Sequence, residues 1–214
     1  MPARQFNVYE LYMGRSVSVP TAAEILQVCS ELTVLTIAFP YRHICSVSKN
    51  PLWIPLSELR GLKTLYIGLA SIHEERVVYL PDINVLHNLT HLHLLAAGVA
   101  SRTIPIGFGR LSQLTHLSLS WSTTRSCTAR LKSFLEKETA VVLILWVKVH
   151  LLPATVEENL RSRGLVDQRL VLLTKEYILE YLEHGGFWTH AERVVQWRVK
   201  NNSEPTHRST RPSC

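Results

Sequence analysis

Nine residues of this chain occur twice in nearly the same form. Leu86-His-Asn-Leu89-Thr-His-Leu92-His-Leu94 and Leu111-Ser-Gln-Leu114-Thr-His-Leu117-Ser-Leu119 both read L-x-x-L-T-H-L-x-L, with Leu92 and Leu117 25 residues apart. A unit of that length cannot cover its own apolar side, so copies must stack to bury their leucines in one continuous core.

Weaker copies flank the pair. Val8-Tyr-Glu-Leu11-Tyr-Met13, Leu32-Thr-Val-Leu35-Thr-Ile37 and Leu62-Lys-Thr-Leu65-Tyr-Ile67 precede it, while Leu143-Ile-Leu145 and Leu170-Val-Leu172 follow. The strand leucines are therefore 11, 35, 65, 92, 117, 143 and 170, with spacings of 24, 30, 27, 25, 26 and 27 residues. Such a period, carrying L-x-x-L-x-L, marks a leucine-rich repeat, and uneven loops are tolerated in a stack. The expected fold is an α/β leucine-rich-repeat solenoid. It has about seven parallel strands, an irregular convex side and a helical cap at its C-terminal end. Residues 1–175 form the solenoid, 176–200 the cap and 201–214 a polar, disordered tail. Asparagine is missing three residues beyond the last repeat leucine, where Pro40, Ala70, Ala97 and Ser122 stand. No asparagine ladder is expected, and the stack should be uneven.

The segments between strands read as helical or irregular. Thr21-Ala-Ala-Glu24 and Thr189-His-Ala-Glu192 have the form of capping boxes. The first opens a short helix through Cys29, and the second begins the terminal helix that caps the open end. Ala129–Lys137 has helical spacing, with Leu131, Phe134 and Leu135 on one side. Short turns are expected around Pro51–Pro55, Pro81 and Pro105.

Side chains alternate along a strand, so Leu92 and Leu94 point inward while His91 and His93 point out. The outward set forms the concave surface and is the candidate for binding a partner. It comprises Glu10 and Tyr12, Val34 and Thr36, Thr64 and Tyr66, His91 and His93, His116 and Ser118, then Val142, Ile144 and Trp146. Trp121 and Trp146 sit at strand ends, where a binding anchor belongs. Three histidines on one face have zinc-ligand chemistry. No acidic or cysteine fourth ligand accompanies them in the repeat, so neither metal nor cofactor is expected.

Between Ile83 and Leu135 there is no Asp or Glu, whereas Arg102, Arg110, Arg125, Arg130 and Lys132 all occur. That distribution favours an acidic or phosphorylated protein partner, or less directly nucleic acid. The net charge of +6 falls short of the dense patch of a dedicated nucleic-acid binder. Four cysteines without a C-x-x-C pair fit reduced thiols, and the N-terminal residues lack the apolar stretch of a signal peptide. The longest apolar run, Ala140–Val147, is eight residues long, against the roughly 20 of a bilayer span. A cytoplasmic or nuclear location follows as the expectation, with no membrane partner. Oligomeric state is not legible. No nucleophile elbow, Walker loop, zinc-protease motif or glycine-rich dinucleotide loop is present, which points away from an enzyme.

Over roughly residues 6–200 the chain resembles the leucine-rich-repeat portion of F-box-type proteins of mushroom-forming fungi. The resemblance rests on the repeated Leu-Thr-x-Leu-x-Leu, on Asp167-Gln-Arg-Leu-Val-Leu172 and on Gly186-Phe-Trp188-Thr-His-Ala191-Glu192. It implies a protein-interaction module in which the repeats hold the substrate of a ubiquitin ligase, here without the F-box that recruits the ligase adaptor. A free-standing scaffold, an electrostatically driven nucleic-acid binder and a truncated fragment are the alternatives.

Overall fold

In the computed structural model the L-x-x-L spacing has a direct backbone cause. The amides of Cys29, Leu59, Leu89 and Leu111 each donate to the carbonyl three residues back, and Leu62 and Leu114 repeat the bond one step later. Bonds of this i→i+3 kind give three residues per turn, so side chains three apart point the same way. Leu56, Leu59, Leu62 and Leu65 are accordingly all buried, as are Leu86, Leu89 and Leu92.

The structure describes residues 8–14, 16–38, 51–68, 77–79, 84–94, 104–120, 125–147, 153–174 and 186–201. They fall into two compact units, Met1–Leu114 and Thr115–Cys214. The first contains strands β1 (Glu10–Met13), β2 (Val34–Ile37), β3 (Thr64–Ile67), β4 (Val77–Tyr79), β5 (His91–Leu94) and β6 (Ile104–Ile106). Helices α1 (Val19–Val28) and α2 (Trp53–Glu58) and short 3₁₀ turns at Asn84–Asn88 and Phe108–Arg110 complete its described residues. The second unit holds β7 (His116–Ser120), α3 (Arg125–Leu135), β8 (Val142–Val147), α4 (Pro153–Ser162), β9 (Leu170–Thr174) and α5 (Gly186–Lys200).

In the first unit β1, β2, β3 and β5 pair in parallel, and their register aligns Leu11, Leu35, Leu65 and Leu92. In the second, β7, β8 and β9 are parallel and align Leu117, Leu143 and Leu170. Every strand leucine of the periodic series therefore lies in the register that the period requires within its unit. The architecture is α/β with parallel strands.

Successive strands of the first unit are also tied at their entrances. The carbonyl of Tyr9 accepts from the amides of Thr33 and Val34, that of Thr33 from Lys63 and Thr64, and that of Lys63 from Thr90 and His91. Thr33 Oγ1 and Thr90 Oγ1 add a third donor to the same carbonyls, at 3.0 and 3.2 Å. This explains the threonine before the strand in L-T-x-L. It ties one copy to the next by a carbonyl ladder.

Several local expectations are corrected. Helix α1 begins before Thr21: Ser18 is its N-cap, accepting from the Thr21 amide, and Pro20 stands in its first turn. Pro105 lies in a strand rather than a turn, because β4 and β6 form a separate parallel pair. The register Val77↔Ile104 advances by the same 27 residues as Thr64↔His91. Helix α3 starts at Arg125, earlier than Ala129. Helix α5 starts at Gly186, so Thr189 and Glu192 lie inside it and do not cap it. The tail from residue 202 onward, the helix expected near Leu179–Gly186 (up to Gly185) and Pro81 lie outside the described residues.

The Asp167-Gln-Arg169 motif acts locally in the second unit. Asp167 holds the Arg169 guanidinium through both carboxylate oxygens, and Arg169 donates onward to the carbonyls of Leu135, Lys137 and Ala140. Those carbonyls sit at and beyond the end of α3, where a helix leaves acceptors without internal donors. The Asp167 hydrogen bond raises the Arg169 pKa above its ordinary value, so the cap stays charged. At the end of α4, Gly164 takes φ 66°. The amides of Gly164 and Leu165 close back onto Arg161 and Leu160, a left-handed stop that favours glycine.

Candidate interaction face

The outward strand positions form two rows in the first unit. One runs Glu10, Val34, Thr64, His91; the other runs Tyr12, Thr36, Tyr66, His93. They differ in access. In the first row Glu10 is exposed, and Val34, Thr64 and His91 are half-buried. In the second only Tyr12 is exposed, while Thr36, Tyr66 and His93 are buried. The Tyr66 and His93 rings lie 5.7 Å apart at a tilt of 46°. Thr36, Tyr66 and His93 are thus interior side chains rather than contact residues. What stays accessible is the row at the strand entrances, together with Tyr12 of the second row and Tyr9 just before β1.

In the second unit the outward face is occupied by the chain itself. His116, Ser118, Val142, Ile144 and Trp146 are all buried. Helix α5 brings Phe187 edge-on to Trp146 at 5.5 Å and Trp188 edge-on to His116 at 5.6 Å. Trp146 Nε1 donates to Ser118 Oγ at 2.6 Å. Strand β8, Val142–Val147, is buried at every position because residues of both faces are covered. His116, Ser118 and Trp146 therefore belong to the core.

The terminal helix also reaches the edge of β9. Arg198, itself buried, donates to the carbonyls of Gln168 and Leu170. Arg169 turns its carbonyl to the Leu143 amide of β8, so its neighbours Gln168 and Leu170 turn theirs to the outer edge. Arg198 fills the place of a further strand. Burial lowers its pKa from the ordinary guanidinium value, and the nearby Glu157 carboxylate opposes that shift.

His116 has a polar environment that sequence spacing did not reveal. Its Nε2 lies 2.9 Å from Glu192 Oε1, and its Nδ1 lies 2.7 Å from Thr115 Oγ1. Burial pushes the ring down to a pKa of about 4. The Glu192 carboxylate would favour the charged form, but desolvation outweighs it. The ring is then neutral near pH 7, with Nε2–H donating to Glu192 and Nδ1 accepting from the Thr115 hydroxyl. An unfolded histidine titrates near 6.5, above the folded value of about 4. The stability linked to the neutral ring is complete above pH 6.5 and declines as the pH falls towards 4. The loss should reach at most about 3 kcal/mol. Urea unfolding of wild type and His116→Gln across this window checks it. Equal pH slopes in the two proteins would remove His116 as the source.

The basic residues are not assembled into a described patch. Arg110 is exposed on the 3₁₀ turn of the first unit. Lys132 is exposed on α3 of the second, its Nζ near Gly164 at the end of α4, where a cation complements the helix terminus. Arg125 and Arg130 lie on α3, with side chains outside the described set. Arg102 and Trp121 lie outside the described residues altogether. Cys29 is a buried thiol. No helix among the described residues is long and apolar enough to cross a membrane.

Glu192 and Tyr9 were missed as participants. Glu192 carries no local signal, since its partner is 76 residues away; Tyr9 could have been found from its place before the first repeat leucine. Against this geometry, no known family model, no curated protein and no solved structure matches the chain.

Proposed function

We propose that this chain is a leucine-rich-repeat protein-interaction module, the substrate-recognition part of an F-box-type ubiquitin-ligase receptor. It acts by binding and not by catalysis. The observation that supports this reading is the accessible entrance row of the first unit, where Glu10, Val34, Thr64 and His91 stand in register on parallel strands. That row offers mixed polar and apolar chemistry on a rigid backbone, with exposed tyrosines beside it, the composition of a protein-contact surface.

A photo-crosslinking residue placed at Thr64 tests the face, with Ser57 as an exposed control on α2. Discrete protein adducts in fungal extract at Thr64 and not at Ser57 are expected. Equal labelling at both positions would reject the face. Co-precipitation of the ligase adaptor with those adducts carries the ligase link, whereas adducts without adaptor leave a free-standing scaffold. Salt-sensitive RNA crosslinks in place of protein would turn the reading to nucleic acid.

A further inference from the structure

We infer that the outer edge of β1 binds an extended peptide segment of a partner protein, with a basic residue beside Glu10 and an aliphatic one beside Leu11. This rests on the reading of the chain as a protein-binding module, but it uses the strand edge next to the entrance row, with Glu10 common to both.

Three observations carry it. The first is the backbone. The carbonyls of Tyr9 and Met13 accept from β2, at Val34 and Ala38. In a parallel ladder the intervening residues turn both N–H and C=O the other way. The backbone groups of Glu10 and Tyr12 thus face a side on which no strand is paired among the described residues. The outer edge of β9 is closed by Arg198, whereas nothing comparable closes β1 among the described residues. An edge left so is a template for strand addition.

The second is the apolar row. Leu35, Leu65 and Leu92 are buried, but Leu11 at the start of the same row is only half-buried. An aliphatic side chain on an added strand would complete its cover. The third is the rim. Tyr9 is 58% exposed and Tyr12 53% exposed, and Glu10 is exposed between them. They supply two aromatic platforms and one carboxylate, which a basic residue complements.

The size of the edge decides between occupants. Strand β1 is four residues long, enough for a short peptide. A stable dimer buries on the order of 1,000 Å² or more, and two copies each carrying +6 repel one another.

The test uses the full chain and a fluorescent peptide, Gly-Ser-Lys-Leu-Tyr-Leu-Ser-Gly, with amide exchange and anisotropy as readouts. In the free chain the Leu11 and Met13 amides should be protected and those of Glu10 and Tyr12 should exchange fast. The peptide should protect Glu10 and Tyr12. Glu10→Lys, a change at an exposed position, should weaken binding by about fivefold. A peptide with Glu in place of Lys should recover the affinity for that variant. No protection at millimolar peptide overturns the proposal. So does protection already present in the free chain, which would mean that its own segment fills the edge. Protection that grows with protein concentration overturns it in favour of a second copy. Loss of the peptide effect with Thr64 adducts retained would reject the edge alone and leave the interaction module standing.

Discussion

Trp146→Ala is expected to destabilise the chain by about 3–5 kcal/mol, the range for removing a large aromatic from a core. Trp146 is 1% exposed, donates to Ser118 and packs edge-on against Phe187. Truncation therefore opens a cavity between β8 and α5 and deletes a buried hydrogen bond. Tyr12→Ala, at an exposed position, should change stability by only about 0.5 kcal/mol or less. Urea melts of the two variants distinguish a core residue from a contact residue. If Trp146→Ala kept the wild-type midpoint, α5 would not lie on this face. The same variant guards against a misreading: any loss of partner binding that it shows must first be corrected for unfolding.

Leu92→Ala should cost roughly 2–5 kcal/mol, because Leu92 is fully buried and its register partner Leu65 nearly so. Leu11→Ala should cost distinctly less, since Leu11 heads the same row and has a neighbouring strand on one side only among the described residues. The contrast is more informative than either value. It depends on the row being one continuous stack, and equal losses at both positions would contradict that order. Chemical denaturation with the m-value monitored separates lost packing from a change in the unfolded chain.

The leucine series carried the strands that bear its leucines, though not the separate pair β4 and β6. Period and register are one property: equal steps along the chain bring equal side chains opposite each other, and a slip by one residue would turn Leu65 or Leu143 to the wrong face. Inward positions were legible for that reason. Outward positions were not, because access depends on what else in the chain covers them. His116 and Trp146 alternate out of the leucine face as expected, but α5 returns from residue 186 to lie on them. Phe187, Trp188 and Ala191 form an apolar stripe on that helix. The stripe announces that the helix packs, without saying on what. The 3₁₀ turns are hidden for another reason. L-x-x-L marks the repeat, and the same spacing is also a statement about three residues per turn. The Arg169 cap and the Arg198 edge contact rest on carbonyl acceptors, and every residue has a carbonyl. Backbone acceptors leave no trace in sequence.

The seat of Arg198 has a consequence for any shortened form of this protein. A chain ending at Thr174 would keep all seven strand leucines yet surrender α5. Trp146 and His116 would then meet water, and Gln168 and Leu170 would offer unclaimed carbonyls along β9. Such a fragment should adhere to its own kind through that newly bared margin. The last helix is thus expected to oppose self-association as well as to complete the core, and trimming to the minimal repeat array should yield a stickier protein.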